Sequence, residues 1–397
     1  MSTNEPSPRI PRTVWVLGFV SMFMDISSEI IHALLPLFLT ATLGISVAMV
    51  GLIDGVAEAT ASITKVFSGY LSDRMGKRKP LILIGYGLGA LSKPVFAVAG
   101  TAASIMGARF SDRIGKGLRG APRDALVADV TPPEIRGRAF GLRQSIDTVG
   151  AFLGPLIAIA AMAAFANDMR AVFWLAVIPA GIAVLLVLVG VEDAEQPLEK
   201  SDARVPVRIG DLRRLPRAFW LLVGIGDVFT LARFSEAFLI LKANAEGLPL
   251  ALTPLVLVAM NAVYMFAAYP LGSLSDRVSA KSMLIGGLVA LIAADLALAL
   301  LQGVAGAFMG IALWGVHMAV TQGLFAKLVA DRSPPELRGS AYGVFNLATG
   351  LSLLVASVIA GVAWDAIGSS ATFLTGAGFA FAALVGLSIV RPDTQQF

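Results

Sequence analysis

Between residues 107 and 129 the sequence reads GARFSDRIGKGLRGAPRDALVAD, with seven ionisable side chains from Arg109 to Asp124. Arg109, Asp112, Arg113, Lys116, Arg119 and Arg123 recur at three- and four-residue steps. On a helix of 3.6 residues per turn they form one stripe, with Ile114, Leu118, Ala121 and Ala125 off it. Cations spaced this way can hold ion pairs, receive an anion or set the proton affinity of nearby acids. Further sets occur at helical spacing: Asp25, Glu29 and His32; Asp54, Glu58 and Lys65; Arg143 and Asp147; and Asp227, Arg233 and Glu236.

The elements that must position these residues are set by composition. Of 397 residues, 56% are hydrophobic and only 15% charged, and the mean hydropathy is +0.78. Soluble domains carry about 25% charged residues. The apolar residues fall in blocks such as LILIGYGLGALSKPVFAVAG, each near the roughly 20 residues that cross a bilayer as a helix. The chain reads as an all-α membrane protein with twelve transmembrane helices in two pseudo-symmetric six-helix bundles. The spans are expected at 14–41, 47–71, 80–99, 102–127, 138–164, 170–190, 217–243, 252–275, 281–301, 304–330, 340–365 and 370–390. Outside them, sixteen Lys and Arg lie on the face that holds residue 1 and none on the other. By the positive-inside rule both termini are cytoplasmic, in a cytoplasmic (plasma) membrane. The first span reads as an uncleaved helix.

With no cysteine and two histidines, His32 and His317, no Cys- or His-rich metal site is expected, and no cofactor. The +4 net charge follows from membrane topology and does not point to nucleic acid. No Walker Gly-Lys-Ser/Thr, HExxH or GxSxG is present, which argues against an ATP-driven pump or a membrane hydrolase, and the chain is not expected to be an enzyme.

A repeat divides the chain. Residues 125–142 (ALVADVTPPEIRGRAFGL) match 327–344 (KLVADRSPPELRGSAYGV) at eleven of eighteen positions, an offset of 202. GYLSDR (69–74) matches GSLSDR (272–277), and Asp25 matches Asp227. The expected division is a bundle at 1–190, a charged cytoplasmic linker at 191–216 and a second bundle at 217–397. The linker's VPVRIGDLRRL can lie as a surface helix. TPPE and SPPE read as capping boxes in which Thr131 or Ser333 caps a helix and Glu134 or Glu336 reaches back.

At GYLSDRMGKRK the chain resembles the major facilitator superfamily. Gly69, Asp73, Arg74, Gly76, Lys77, Arg78 and Lys79 fit its signature between helices 2 and 3, and Gly272, Asp276 and Arg277 form a partial second copy. The resemblance implies a close helix contact at Gly69, a turn at Gly76 and an Asp73 that caps or pairs with the other half to shut the cytoplasmic side. Arg113 and Gly117 fit the family's helix 4 pattern, with Lys116 where Gln is usual. Gly150, Gly154 and Pro155 resemble the helix 5 element of proton-coupled exporters, and small residues there also pack helices. The family's helices 1, 4, 7 and 10 line a central cavity.

Each charge facing lipid at mid-depth costs about 2.5–3.5 kcal/mol. Five cations there would exceed the ~5–15 kcal/mol that stabilises a typical protein. The stripe is therefore expected to face inward, with Arg119 and Arg123 near enough to the cytoplasmic edge to snorkel. At about 1.5 Å per residue, Asp25 and Arg113 both lie about 16 Å from a helix end, near the midplane. Matching depths suggest Asp25–Arg113 and Glu29–Arg109 pairs. Asp227 is expected to face the cavity as well. Opposite lies an apolar, aromatic wall of Trp314, His317, Gln322, Asn261 and Tyr264, with His317 a candidate proton relay.

The expected function is proton-coupled efflux of a small organic compound by alternating access around a midplane site. The alternatives are uptake or exchange of an organic anion, or a membrane sensor or scaffold that does not transport. The expected partners are a small solute, H⁺ and the bilayer, and the chain is expected to act as a monomer.

Overall fold

A computed structural model describes residues 9–75, 77–193, 214–274, 278–334 and 337–389. Among these every regular element is a helix. Helix α1 (Arg12–His32) continues through Leu35–Leu37 and a wider turn at Phe38–Thr42. It is followed by α2 (Val47–Met75), α3 (Lys79–Val98), α4 (Ala102–Val130), α5 (Arg136–Ala164) and α6, in two segments, Met169–Leu175 and Val177–Gly190. Helix α7 is also in two segments, Arg217–Leu231 and Ala237–Ala245. The rest are α8 (Leu255–Leu274), α9 (Ala280–Leu300), α10 (Gly303–Asp331), α11 (Arg338–Ala366) and α12 (Ser369–Ile389). The bundle end that carries residues 12 and 389 is called the near face here, and the opposite end the far face.

Among the described residues, ten helices are long and apolar enough to cross a membrane. Helices α4 and α7 are outside that set for different reasons. Helix α4 is 29 residues long but carries the charged stripe, and α7 is interrupted between its segments. Large apolar side chains such as Phe67, Leu91, Val189, Phe266 and Phe381 are exposed, as expected of surface that meets acyl chains.

Local chemistry fixes several helix ends. At the start of α4, Thr101 and Ser104 form a reciprocal capping box. Asp168 accepts from the N–H groups of Arg170 and Ala171 at the start of α6. Far-face turns use glycines with positive φ, among them Gly44 at 63° and Gly368 at 128°, a region where a side chain would be strained. The capping box read at TPPE does not form, and Glu336 of the SPPE box lies outside the described residues. The Thr131 hydroxyl is buried without a partner, and that of Ser333 donates back to the Val329 carbonyl at 2.6 Å. A 3-10 turn at Pro133–Ile135 intervenes before α5, so Thr131 sits too far back to cap it.

Helices α1 and α5 run parallel, with Gly18, Gly150 and Gly154 set against Ile146, Met22 and Glu29 respectively. Helices α2 and α11 run antiparallel along most of their length, with Gly51 on Ser357, Gly55 on Leu354, Gly350 on Ser62 and Gly361 on Ala48. Gly51, Gly55, Gly150, Gly154 and Gly361 let two backbones approach where a methyl group would collide.

Candidate functional site

Helix α4 is drawn into the bundle by close approaches on two sides. A methyl group at Gly85 of α3 would lie 2.7 Å from the Gly115 carbonyl oxygen, and one at Gly117 would lie 2.6 Å from Thr64 Cβ of α2. These contacts turn the stripe towards α2 and α3, and those helices supply its partners. Arg109 bonds Asp54 at 3.0 Å, Arg113 bonds Glu58 at 3.0 Å, and Asp112 accepts from Lys93 at 2.8 Å. Arg113 is also 3.8 Å from Asp112. Arg109, Asp112, Arg113, Lys93 and Asp54 are all buried. The stripe therefore faces inward, as the cost of charge in hydrocarbon requires.

Its partners differ from those expected from depth. Neither an Asp25–Arg113 nor a Glu29–Arg109 pair is present. Helix α1 is set by its packing on α5 and α6, while α2 and α3 lie directly on α4. Glu29 pairs instead with His32 at 3.8 Å. Asp25 is half-buried and has no ion-pair partner among the described residues. The charges that act on it most strongly are those of Asp147 and Lys116. Lys116 is the one cation of the stripe that is exposed, and it too has no ion-pair partner among the described residues. Its charge acts on Asp25, Glu29 and Glu58 together. Asp25, Glu29 and Glu58 are half-buried and Lys116 is exposed, next to a buried, paired network that Glu58 joins through Arg113.

Arg119 and Arg123 do not snorkel. Arg119 is buried with its guanidinium over the Tyr86 ring, 4.7 Å from the centroid. Arg123 donates to Ser21 at 2.9 Å and to Asp124 at 3.2 Å. Arg143 lies 3.8 Å from Asp124 and 3.9 Å from Asp147.

In the helix 2–3 signature, Arg78 donates to Asp129 and Ser72, and Asp193 accepts from the backbone N–H groups of Arg78 and Lys79, both at 2.8 Å. These contacts tie the loop to the ends of α4 and α6. Gly69 makes no forced approach, since a methyl group there would sit an ordinary 3.5 Å from Ala121. Arg74 is exposed. Gly76, Asp276 and Arg277 lie outside the described residues, as do residues 194–213 of the expected linker and the side chain of Asp73. The glycines of the helix 5 element meet α1. A methyl group at Gly154 would lie 2.6 Å from Glu29 Cβ, and Pro155 is buried beside it.

The expected aromatic wall is largely inside the second half of the chain. Trp314 and His317 are fully buried, and His317 Nδ1 sits 2.8 Å from the Gly287 carbonyl while its ring stacks on Phe229. His317 thus packs in the core instead of lining a path with the charged stripe. Asn261 and Tyr264 are half-buried, and the Gln322 side chain lies outside the described residues. Asp227 is half-buried and accepts from Ser352 of α11 at 3.0 Å.

At the far face, polar contacts join the two parts of the chain. Ser235, in the break of α7, donates to Asp54 at 2.8 Å, and its N–H reaches Ser357. Asp365 of α11 accepts from the N–H groups of Val47 and Ala48, the first residues of α2. Sequence reading missed Lys93, Ser235, Asp295 and Asp365. Lys93 and Asp295 each carried a signal, a lone charge inside an apolar run (LSKPVF and AADLAL).

A helical membrane protein with an inward-turned charge network beside half-buried carboxylates and an exposed lysine has the architecture of a membrane transporter. The chain belongs to the Major Facilitator Superfamily, whose family model matches residues 17–356 and 237–396. An uncharacterized MFS-type transporter of Methanocaldococcus jannaschii is 32% identical over 94% of this chain and 93% of its own. The multidrug resistance protein MdtH of Edwardsiella ictaluri is 31% identical over 50% of this chain and 45% of its own. The crystal structure of the nucleoside transporter NupG superposes with a TM-score of 0.77 at 13% identity, covering 95% of this chain and 98% of that one, a likeness of fold. The protein is an integral membrane transporter and not an enzyme.

Proposed function

We propose that this chain is a proton-coupled secondary transporter that exports a small organic compound across the plasma membrane by alternating access. The observation that carries this reading is the contrast within one stripe. Arg109, Asp112 and Arg113 are buried and paired, while Lys116 is exposed among Asp25, Glu29 and Glu58. A solute or proton that reaches Lys116 changes the electrostatic balance of three carboxylates at once. In this reading Asp25 and Glu29 exchange the proton, and Arg109 and Arg113 hold the wall of the site. Asp227 lines the opposite side. The direction of transport is supported by the part-length likeness to MdtH and by Gly150, Gly154 and Pro155, which seat α5 on the helix that bears Asp25 and Glu29.

In the same proposal α4 and α7 cross the membrane with the other ten helices. The two bundles are 1–190 and 217–397, joined by a cytoplasmic linker, and both termini are cytoplasmic. The far-face contacts of Ser235 and Asp365 would then part when the site opens outward. His317 remains a core residue and is not part of the proposed path.

The test is transport into proteoliposomes with an imposed pH gradient, using a panel of organic cations and anions. Export by antiport predicts that adding a substrate collapses the gradient and that Asp25→Asn removes this response. Gradient-driven uptake of an anion would favour the second reading, in which the exposed Lys116 receives it. Transport that ignores the gradient with every compound would end the proton-coupled reading.

A further inference from the structure

Lys93 and Asp112 have counterparts 202 positions on, at Asp295 of α9 and Trp314 of α10. In the first half these positions hold a buried ion pair of 2.8 Å. In the second half they hold a carboxyl and an indole, both fully buried, and among the described residues neither the Asp295 oxygens nor Trp314 Nε1 has a hydrogen-bond partner. The slot for a buried charge has been kept while the opposite charge has been lost.

The surroundings of Asp295 offer no replacement. Helix α12 presents Gly376, where a methyl group would lie 2.7 Å from Asp295 Oδ2, and the whole helix carries no ionisable side chain. The break of α7 presents Ala232 and Phe234, and its Arg233 and Glu236 face each other at 3.6 Å. The second half of α7's first segment adds Asp227, which is held by Ser352. Helix α10 presents Trp314 and His317, and the latter has Nδ1 at the Gly287 carbonyl. Helix α9 itself adds only Lys281, fourteen residues away on the near face, beside the Ser388 carbonyl. An ionised carboxylate without cation or donor in such a core is far more costly than a neutral acid lacking one hydrogen bond. In this conformation the group is held as the acid.

We propose that Asp295 is a proton-binding site in the second half of the chain, and that rearrangement of the α7 break beside it admits and releases that proton. The position supports this, because the break lies between two acids. Asp54 holds Ser235 on one side, and Asp295 lies beside Ala232 and Phe234 on the other. If the far-face contacts of the break part, water reaches Asp295 and the carboxylate can form. The proton leaves to the far face, and re-formation of the break requires its return. The site is separate from the Asp25 and Glu29 cluster, so it stands whether or not those residues couple transport.

The chain has no cysteine, so a single introduced one reports cleanly. The full chain in lipid nanodiscs, carrying Ala237→Cys in the second segment of α7, is labelled with an impermeant maleimide across a pH series. The thiol's own ionisation speeds labelling with pH in every variant, and proton release on opening predicts up to about a further tenfold per pH unit for one linked proton. Asp295→Asn should lower the slope of log rate against pH by about one. Asp295→Glu, which keeps the carboxyl, should restore the slope and guards against a fold lost in the Asn variant. A parallel infrared pH titration should show a protonated-carboxyl C=O band that is absent in Asp295→Asn. Equal slopes in wild type and Asp295→Asn, or a band that does not respond to pH, would overturn the proposal.

Discussion

Helices α4 and α10 occupy equivalent places in the repeat, yet their inward faces share almost no chemistry. At the offset of 202, Arg109, Asp112, Arg113, Lys116, Arg119 and Arg123 become Ile311, Trp314, Gly315, Met318, Thr321 and Phe325. The acids that pair with the first set change with it, since at the offset of 203 that aligns GYLSDR with GSLSDR, Asp54 and Glu58 of α2 become Leu257 and Asn261 of α8. One half is held together by ion pairs of 2.8–3.0 Å, and the other by rings, with Phe229 against His317 and Phe325, and Trp314 against Phe234. The same helix packing is thus compatible with either kind of interior. The first half carries charge at these positions and the second does not, so position in the fold does not by itself require it.

The largest test of that contrast removes one member of a buried pair. Arg109→Met leaves the buried Asp54 without its cation. Breaking a buried pair in this way costs about 3–5 kcal/mol. In the other half, Met318→Leu conserves volume and should cost less than about 1.5 kcal/mol. Thermal unfolding of the purified protein in one detergent measures both. Similar losses for the two would mean that the ion pairs contribute no more than ordinary packing.

A second comparison concerns close packing. Gly154→Ala would set a methyl group 2.6 Å from Glu29 Cβ and 3.0 Å from the Ile26 carbonyl, forcing α5 away from α1. The expected cost is about 1–3 kcal/mol. Its counterpart is already Ala356 in α11, and Ala356→Gly should cost only the helix propensity of about 1 kcal/mol. The same melts decide this. If Gly154→Ala keeps stability but loses transport, the glycine matters for motion as well as packing.

Lys116→Met copies the residue of the second half, Met318, into the first. Lys116 is exposed and outside the paired network, so stability should change by no more than about 0.5 kcal/mol. Substrate-driven proton movement in liposomes should fall sharply, because the charge acting on Asp25, Glu29 and Glu58 is gone. A stable variant with unchanged transport would take Lys116 out of the site.

The helices were legible because a span is written in one dimension. The expected 102–127 and 304–330 differ from Ala102–Val130 and Gly303–Asp331 by a turn at most. The inward turn of α4 was equally legible, since the cost of cations in hydrocarbon does not depend on which neighbour receives them. The identity of that neighbour was not. Asp25 and Glu29 lie at helical spacing and suitable depth, but so do Asp54 and Glu58, and depth says nothing about azimuth. What decided between them was where Gly85, Gly115 and Gly117 let backbones touch, which is a property of pairs of helices. His317 differs for a related reason, because the sequence offers it as a candidate relay on an aromatic cavity wall, while in the fold it stacks on Phe229 and is fully buried. The break in α7 left no proline at residues 232–236 to announce it, and its role shows only through Ser235, Asp54 and Asp295 in three dimensions.

The smallest effect separates two ways of starting the same helix. Helix α4 begins with the neutral Thr101–Ser104 box, whereas the first N–H of α10, at Gly303, donates to Glu246 at 2.6 Å. A hydrogen bond from Lys242, with help from the Gly303 N–H, holds the Glu246 carboxyl below the ordinary glutamate range. A carboxyl depressed in the folded state contributes stability above its unfolded pKa of about 4.3. That contribution is lost as pH falls through the lower, folded value. Glu246→Gln should therefore cost about 1 kcal/mol or less near neutral pH and almost nothing in acid, since the group is near the surface. Replacing Thr101 by Ala should cost about 1 kcal/mol at every pH, because its cap does not titrate. Melting curves of the two variants across pH 3–7 would distinguish them. A Glu246→Gln loss that persists undiminished in acid would show that the side chain holds α10 by its shape and hydrogen bonds, and not by its charge.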